Sequence, residues 1–143
     1  MPTQRATFVI LWLAFASGTA FAQECLHGAT ENAEQGARRR EALTATRNIN
    51  NIQANQPGAV KGLYLRHEEL ASSRYAAKMR EGTNETVRRI SLNPGTDILP
   101  NWQLTLDVTQ QGYWFMIGDK IDPCGFAYVS NQAGVIFESE PIR

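Results

Sequence analysis

The chain of 143 residues lacks an excess of charge of either sign and is poor in histidine and cysteine. Fourteen Lys and Arg residues balance fourteen Asp and Glu residues, and there are two His and two Cys residues. A neutral chain has no net positive charge with which to neutralise phosphates, so no nucleic-acid partner is expected. Its 43% hydrophobic and 20% charged residues are typical of a globular domain and exclude a disordered or collagen-like chain.

The sequence also lacks the common motifs of catalysis and metal binding. It contains no Gly-x-Ser-x-Gly motif, no Cys-x-x-Cys pair and no Gly-rich phosphate loop. His67 is not followed by a second His four residues on, so it cannot form a zinc-protease helix, and His27 lies near the start of the mature chain. We therefore expect no enzyme, no metal and no cofactor. A hydrolase would require carboxyl groups or a Ser–His pair to meet in a cleft.

No hydrophobic run after the first 22 residues is long enough to span a bilayer, which takes about 20 residues. Residues 1–22 resemble a secretory signal peptide, with Arg5, an apolar run over 8–16 and a cleavage site at Ala20-Phe21-Ala22. Cleavage would leave Gln23 at the start of a single domain, 23–143, whereas the alternative is an uncleaved anchor. We expect a secreted or periplasmic protein with no transmembrane segment after cleavage.

The two cysteines lie at opposite ends of the mature chain. In an oxidising compartment an even number of cysteines favours a disulfide, here between Cys25 and Cys124. The alternative is two unpaired thiols. A disulfide would close a loop that includes almost the whole domain.

Hydrophobic periodicity predicts two helices in the first half of the mature chain. The first runs from Thr30, as N-cap, to about Asn55, and Ala42, Ala45, Ile49 and Ile52 form its apolar stripe. Arg38-Arg39-Arg40 lies off that stripe, and we interpret it as a solvated face, the alternative being contact with phosphate or an acidic partner. The second helix covers about His67 to Arg80. Residues 86–92 alternate weakly and indicate a short strand.

The last third of the chain predicts an antiparallel meander of three or four strands. Apolar and polar residues alternate strictly over 102–108, whereas 113–117 is apolar throughout. Two further strands, 126–129 and 135–137, flank a four-residue turn. The expected fold is α+β, with the long helix and the short second helix packed on the meander.

Aromatic side chains are concentrated in the meander. On strand 113–117, Tyr113 and Trp114 point to opposite faces, so one set packs on the helices and the other needs a second cover. That cover is either loop 83–100, the N-terminal segment held by Cys25, a partner or a ligand. We select Trp102, Tyr113 and Trp114 as partner-binding anchors, because aromatic residues are favoured at interfaces.

Two stretches resemble the globular head of type IV pilins and pseudopilins. They are the helix segment Arg47-Asn48-Ile49-Asn50-Asn51-Ile52-Gln53-Ala54 and the terminal hairpin over 122–136, whose turn is Ser130-Asn131-Gln132-Ala133-Gly134-Val135-Ile136. The resemblance implies a head that acts by assembly and contact, with no catalytic residues. A pilin carries a long apolar helix after its leader, whereas here polar Gln23-Glu24 follows the cleavage site. A head of this kind would be exported as a detached soluble domain.

These observations lead to two functional hypotheses. The first is an exported, non-enzymatic domain that binds a protein or cell-surface partner, with a pilin-like head as one form of it. The alternative is a periplasmic small-ligand-binding or sensor module with a pocket between helix 67–80 and the sheet, lined by converging polar groups.

Overall fold

A computed structural model of the protein describes residues 24–29 and 31–139. The predicted signal peptide, residues 1–22, and the predicted N-cap Thr30 lie outside these residues. Within them, helices precede a four-stranded antiparallel sheet in the order β1-β2-β3-β4. The predicted α+β class and the meander are therefore confirmed.

The long helix, α1, runs over Ala33–Asn55, and its N-cap is Asn32, so the prediction of Thr30 as N-cap was wrong. The Asn32 side chain accepts a hydrogen bond from the Gln35 backbone N–H at 2.9 Å, and the Gln35 side chain accepts one from the Asn32 N–H at 2.8 Å. Together these bonds satisfy two N–H groups that a helix start leaves without partners. All four residues of the predicted apolar stripe are buried, which confirms the face that packs on the sheet.

The predicted helix over 67–80 is instead two helices, α2 (His67–Ser72) and α3 (Arg74–Arg80). Ser73 separates them with an extended backbone, at φ −66° and ψ 145°. Its hydroxyl accepts a hydrogen bond from the Ala76 N–H at 3.1 Å and so caps α3. The prediction of one helix was wrong because a serine that caps its own downstream turn competes with continued helix.

The short strand predicted over 86–92 was also wrong. Its first part is a helix, α4 (Glu85–Arg89), which the Asn84 side chain caps by accepting a hydrogen bond from the Val87 N–H. The chain that follows α4 places apolar side chains in the core, namely Ile90, Leu92, Ile98 and Leu99. The weak alternation therefore reflects a helix turn followed by an irregular buried segment.

The strands are β1 (Trp102–Thr109), β2 (Gly112–Asp119), β3 (Ala127–Asn131) and β4 (Ile136–Ser139). Each pairs with the next along the chain, with Leu104 opposite Ile117 and Ile117 opposite Tyr128. These side chains belong to the inner face of the sheet, which forms the core with α1. The strict alternation of β1 thus has the predicted meaning, one buried face and one exposed face.

The N-terminal segment is fastened to the turn between β2 and β3. Cys25 and Cys124 form a disulfide with a Cα–Cα distance of 5.3 Å, which confirms the predicted pairing. Next to it, His27 Nδ1 and Asp122 Oδ2 lie 2.5 Å apart and both residues are buried. Two adjacent contacts therefore tie the start of the domain to its last third.

Candidate binding surface

The outer face of the sheet, which points away from α1, carries the alternate residues of all four strands. From the cross-strand register it comprises Gln103, Thr105, Asp107, Thr109, Gly112, Trp114, Met116, Gly118, Ala127, Val129, Asn131, Phe137 and Ser139. Asp107 is the one charged residue on this face within the described strands. Such a face differs from the usual polar outer side of a half-buried antiparallel sheet.

A continuous row of side chains crosses the outer face. Thr105 lies directly opposite Met116, Met116 opposite Val129, and Val129 opposite Phe137. Directly opposite residues in an antiparallel sheet have neighbouring side chains. We call this set the outer row. Three of its four members are apolar.

No described segment covers the outer row as a second layer. The Phe137 side chain is 56% exposed, and Trp114, one row away, is 43% exposed. Loop 83–100, one of the covers considered from the sequence, places its apolar side chains in the core on the helix side of the sheet. The N-terminal segment, the other, is fixed by Cys25 at the turn between β2 and β3.

The three aromatic anchors predicted from the sequence are separated by the sheet. Trp102 is 1% exposed and Tyr113 is 4% exposed, and both belong to the inner face. Their selection as partner-contacting anchors was wrong, because strand alternation directs them into the core. Trp114 is on the outer face, where its indole N–H donates to Asp107 Oδ2 at 3.2 Å. Of the three, Trp114 alone presents its ring to solvent.

Met116, Val129 and Phe137 are surface residues that the sequence analysis did not select. The signal that could have found them is the parity of the strands: residues two apart from Trp114, and their neighbours across the hairpins, share its face. The register of β3 and β4 was the missing information. It depends on the length of the turn between them, 131–135.

A polar network joins α1 to the inner face, and it too was not anticipated. Asn50 Oδ1 accepts a hydrogen bond from the Tyr113 hydroxyl at 3.1 Å, and Asn50 Nδ2 donates to Ser130 Oγ at 2.9 Å. Burial raises the pKa of Tyr113 to about 12, with the nearby Tyr64 acting in the same direction, so its hydroxyl remains a donor at neutral pH. This network connects the middle of α1 to β2 and β3.

Two arginines of the run at 38–40 in α1 contact side chains of the sheet half, although the sequence predicts that the run faces solvent. Arg38 donates to Asp119 Oδ1 at 3.0 Å, and its guanidinium lies 5.5 Å from the ring centroid of Trp102. Arg39 pairs with Glu31 at 2.6 Å and lies 5.1 Å from the ring centroid of Phe126. Only Arg40 of the three is exposed. The interpretation as a wholly solvated face was therefore wrong, because guanidinium groups stack on aromatic rings.

The sheet half of the domain is acidic at its surface. Residues 97–139 contain one basic residue, Lys120, and its ammonium binds the Asp97 carboxylate at 2.9 and 3.0 Å. Asp119 and Asp122 are buried against Arg38 and His27. Asp107 and Glu138 remain as exposed carboxylates on this half. Glu138 lies opposite Tyr128 of the inner face, so Asp107 is the carboxylate that gives the outer face its negative charge.

Among the described residues there is no group of three or more His, Cys, Asp or Glu placed to hold a metal ion. The pKa of His67 is lowered, mainly by partial burial, against the opposing effect of Glu68. The described part of the chain also has no helix long and apolar enough to cross a membrane.

A cleft relevant to the small-ligand hypothesis lies at one end of β1. It has a volume of about 320 Å³ and is lined by Tyr64, Arg66 and Val108, together with Gly62, Leu63, Thr109 and Gln110. The Gln53 side chain fixes its wall by pairing with both backbone groups of Leu65, at 2.7 and 2.9 Å. The cleft involves the segment before α2 and not the predicted helix 67–80 itself.

The comparisons with known proteins add no relative to this description. A scan of protein-family models found no match, and searches of curated proteins and of solved structures found no significant similarity to this chain.

Proposed function

We propose that this protein is an exported, non-enzymatic domain that binds a protein partner through the outer face of its sheet. The observation that carries the proposal is the outer row, which crosses all four strands, is apolar from β2 to β4 and leaves Phe137 56% exposed. Exposed apolar patches on small soluble domains mark interaction sites. The Cys25–Cys124 disulfide supports export, because disulfides persist in oxidising compartments.

The charge around the outer face selects the kind of partner. Asp107 is exposed on this face, and Lys120, the one basic residue within 97–139, is already paired with Asp97. Complementary potentials favour a protein surface with an apolar centre and Lys or Arg at its rim. The same charges disfavour nucleic acid and anionic lipid. A pilin-like assembly would be one instance of such contact between proteins.

The second candidate function is a small-ligand or sensor module. The cleft between segment 62–66 and the end of β1 favours it, because its volume of about 320 Å³ lies near the lower limit of small-molecule sites. Its floor is apolar, and Arg66 supplies one cation. The outer face remains the better-supported site, since it involves every strand of the sheet.

Site-specific photo-crosslinking in cells that make the protein tests the proposal. A photoreactive phenylalanine replaces Phe137 on the outer face, and in the control it replaces Val60, which is 97% exposed and lies in the segment after α1. We expect an adduct with one protein at position 137 and none at position 60. The partner peptide should contain apolar residues flanked by Lys or Arg.

Two further variants sharpen the result. Trp114→Ala should reduce adduct formation at position 137, because it removes the exposed ring beside the outer row, whereas Arg74→Ala on α3 should not. Adducts of equal yield at positions 60 and 137, an adduct with lipid, or an exported protein that forms none would contradict the proposal.

A further inference from the structure

A small pocket interrupts the outer face beside the outer row. Its floor is formed by Gly118 and Ala127, which lie directly opposite each other on β2 and β3. Its volume is about 230 Å³, and its wall includes Met116 and Thr105, two members of the outer row. The remaining lining residues are Gln103, Asp119, Lys120, Gly125 and Phe126.

Gly118 creates this pocket by lacking a side chain. A Cβ atom built at Gly118 would have no neighbouring atom within 4 Å, and Gly118 is not among the glycines with positive φ. The backbone conformation therefore does not require glycine at this position. Glycine weakens the interior of a strand and often marks a place where another molecule approaches closely.

The pocket is electrically neutral although two charged residues line it. The Lys120 ammonium is bound by Asp97 at 2.9 Å, and the Asp119 carboxylate accepts hydrogen bonds from Arg38 at 3.0 Å and from the Ile121 N–H at 3.1 Å. Both charges are thus already partnered. An uncharged apolar group fits this environment, whereas a charged group would lose its hydration without compensation.

We infer that the Gly118–Ala127 pocket receives one apolar side chain of the protein partner, such as a leucine or phenylalanine. This inference rests on the proposed function, because Met116 belongs both to the pocket and to the outer row. Side chains buried in central pockets commonly dominate the affinity of an interface. Burying one such side chain corresponds to roughly 10- to 100-fold in affinity.

The first test uses toluene as the probe, because it has the aromatic ring of a phenylalanine side chain. Toluene is titrated into the disulfide-bonded exported protein, and backbone amide shifts are recorded by NMR. We expect saturable shifts at Gly118 and Ala127, and none at the same concentration of benzylamine, which carries a positive charge. The absence of saturable shifts at these two residues would overturn the inference.

The matched variants are Gly118→Val and Thr109→Val. Gly118→Val fills the pocket with a β-branched residue that suits a strand, so the urea midpoint should stay unchanged or rise while toluene binding is lost. Thr109→Val changes a residue at the far end of the same face and should retain toluene binding. Retention of the toluene shifts in Gly118→Val would show that they do not arise from this pocket.

Crosslinking at position 137 separates this inference from the proposed function. If the pocket holds a partner side chain, Gly118→Val should lower the adduct yield at least about 10-fold at limiting partner concentration. If toluene binds but Gly118→Val forms the adduct normally, the pocket is a small-molecule site and the inference fails while the proposed function stands. If the protein with Gly118 unsubstituted binds toluene but forms no adduct at position 137, the proposed function fails. The assignment of the pocket to a partner side chain then fails with it.

Discussion

Asp122, in the turn between β2 and β3, helps to attach the N-terminal segment to the sheet. Oδ2 contacts His27 at 2.5 Å, and Oδ1 accepts a hydrogen bond from the Cys124 N–H at 2.7 Å. Burial, the largest single influence, raises the pKa of Asp122. The hydrogen bonds from His27, Cys124 and Leu26 and the charge of His27 outweigh it, and the net pKa lies below the ordinary value of 3.8.

This lowered pKa sets the sign of an acid dependence. A carboxyl group with a lower pKa in the folded state contributes stability above its unfolded pKa, and this contribution is lost as the pH falls through the folded value. We therefore expect Asp122→Asn to lower the free energy of unfolding by about 2 kcal/mol at pH 7, because it removes the buried carboxylate that bonds His27 and the Cys124 N–H. The difference from the unsubstituted protein should shrink below about pH 4.

Urea unfolding at pH 7, 5 and 3 measures both effects. Asp107→Asn is the control, because Asp107 is exposed and its change should fall within about 0.5 kcal/mol. A loss of stability in Asp122→Asn that is equally large at pH 3 and pH 7 would contradict the assigned role.

At the scale of secondary-structure elements, two short helices replace the single helix predicted over 67–80, and a third replaces the strand predicted over 86–92. Ser73 ends α2 and caps α3, and Asn84 caps α4. Helices of five to seven residues have little stability of their own. Their caps and the burial of residues such as Leu70 and Ala76 therefore determine where they begin and end.

Ser73→Ala should lower the free energy of unfolding by about 1 kcal/mol, because it removes the side-chain acceptor for the Ala76 N–H. Ser72→Ala is the neighbouring control, since the Ser72 side chain is exposed and bonds only its own turn. Urea denaturation followed by circular dichroism measures both variants. Equal stability of the two, or a gain in Ser73→Ala, would show that the cap does not hold α3.

At the scale of the whole molecule, one covalent bond joins the two ends of the domain. Cys25 and Cys124 are 99 residues apart in sequence, and the β2–β3 turn that holds Cys124 adjoins the pocket on the outer face. The bond restricts the unfolded chain more than a disulfide that closed a short loop would. It therefore contributes to stability without needing any change in the folded core.

Replacing both cysteines by alanine should lower the free energy of unfolding by about 4–5 kcal/mol in the chain-entropy account of a loop of this length. Urea unfolding of the double variant and of the oxidised protein measures the difference. Intact mass before and after reduction provides the control, because the oxidised protein should gain two hydrogens. The same spectrum should show a chain that begins at Gln23 if the signal peptide is cleaved. An unchanged urea midpoint in the double variant would refute the expectation.

Local chemistry accounts for the parts of the fold that the sequence predicted correctly. Strict alternation over 102–108 and the apolar spacing of Ala42, Ala45 and Ile49 depend only on the periods of strand and helix. The helix break at Ser73 was not foreseen, because a serine hydroxyl can cap a new turn or simply face solvent. Likewise, the direction of Arg38 depends on where Trp102 and Asp119 lie, and both belong to distant strands.

The amino-acid sequence by itself determined the α+β class, the meander of the last third and the pairing of the two cysteines, because periodicity acts within each element and two cysteines allow only one pair. Only the tertiary structure decided which aromatic residues face solvent. Trp102 and Tyr113 are buried and Phe137 is exposed, because the register of the whole sheet decides which alternate residues of each strand face α1. The pocket at Gly118 likewise arises only when β2 and β3 place Gly118 opposite Ala127.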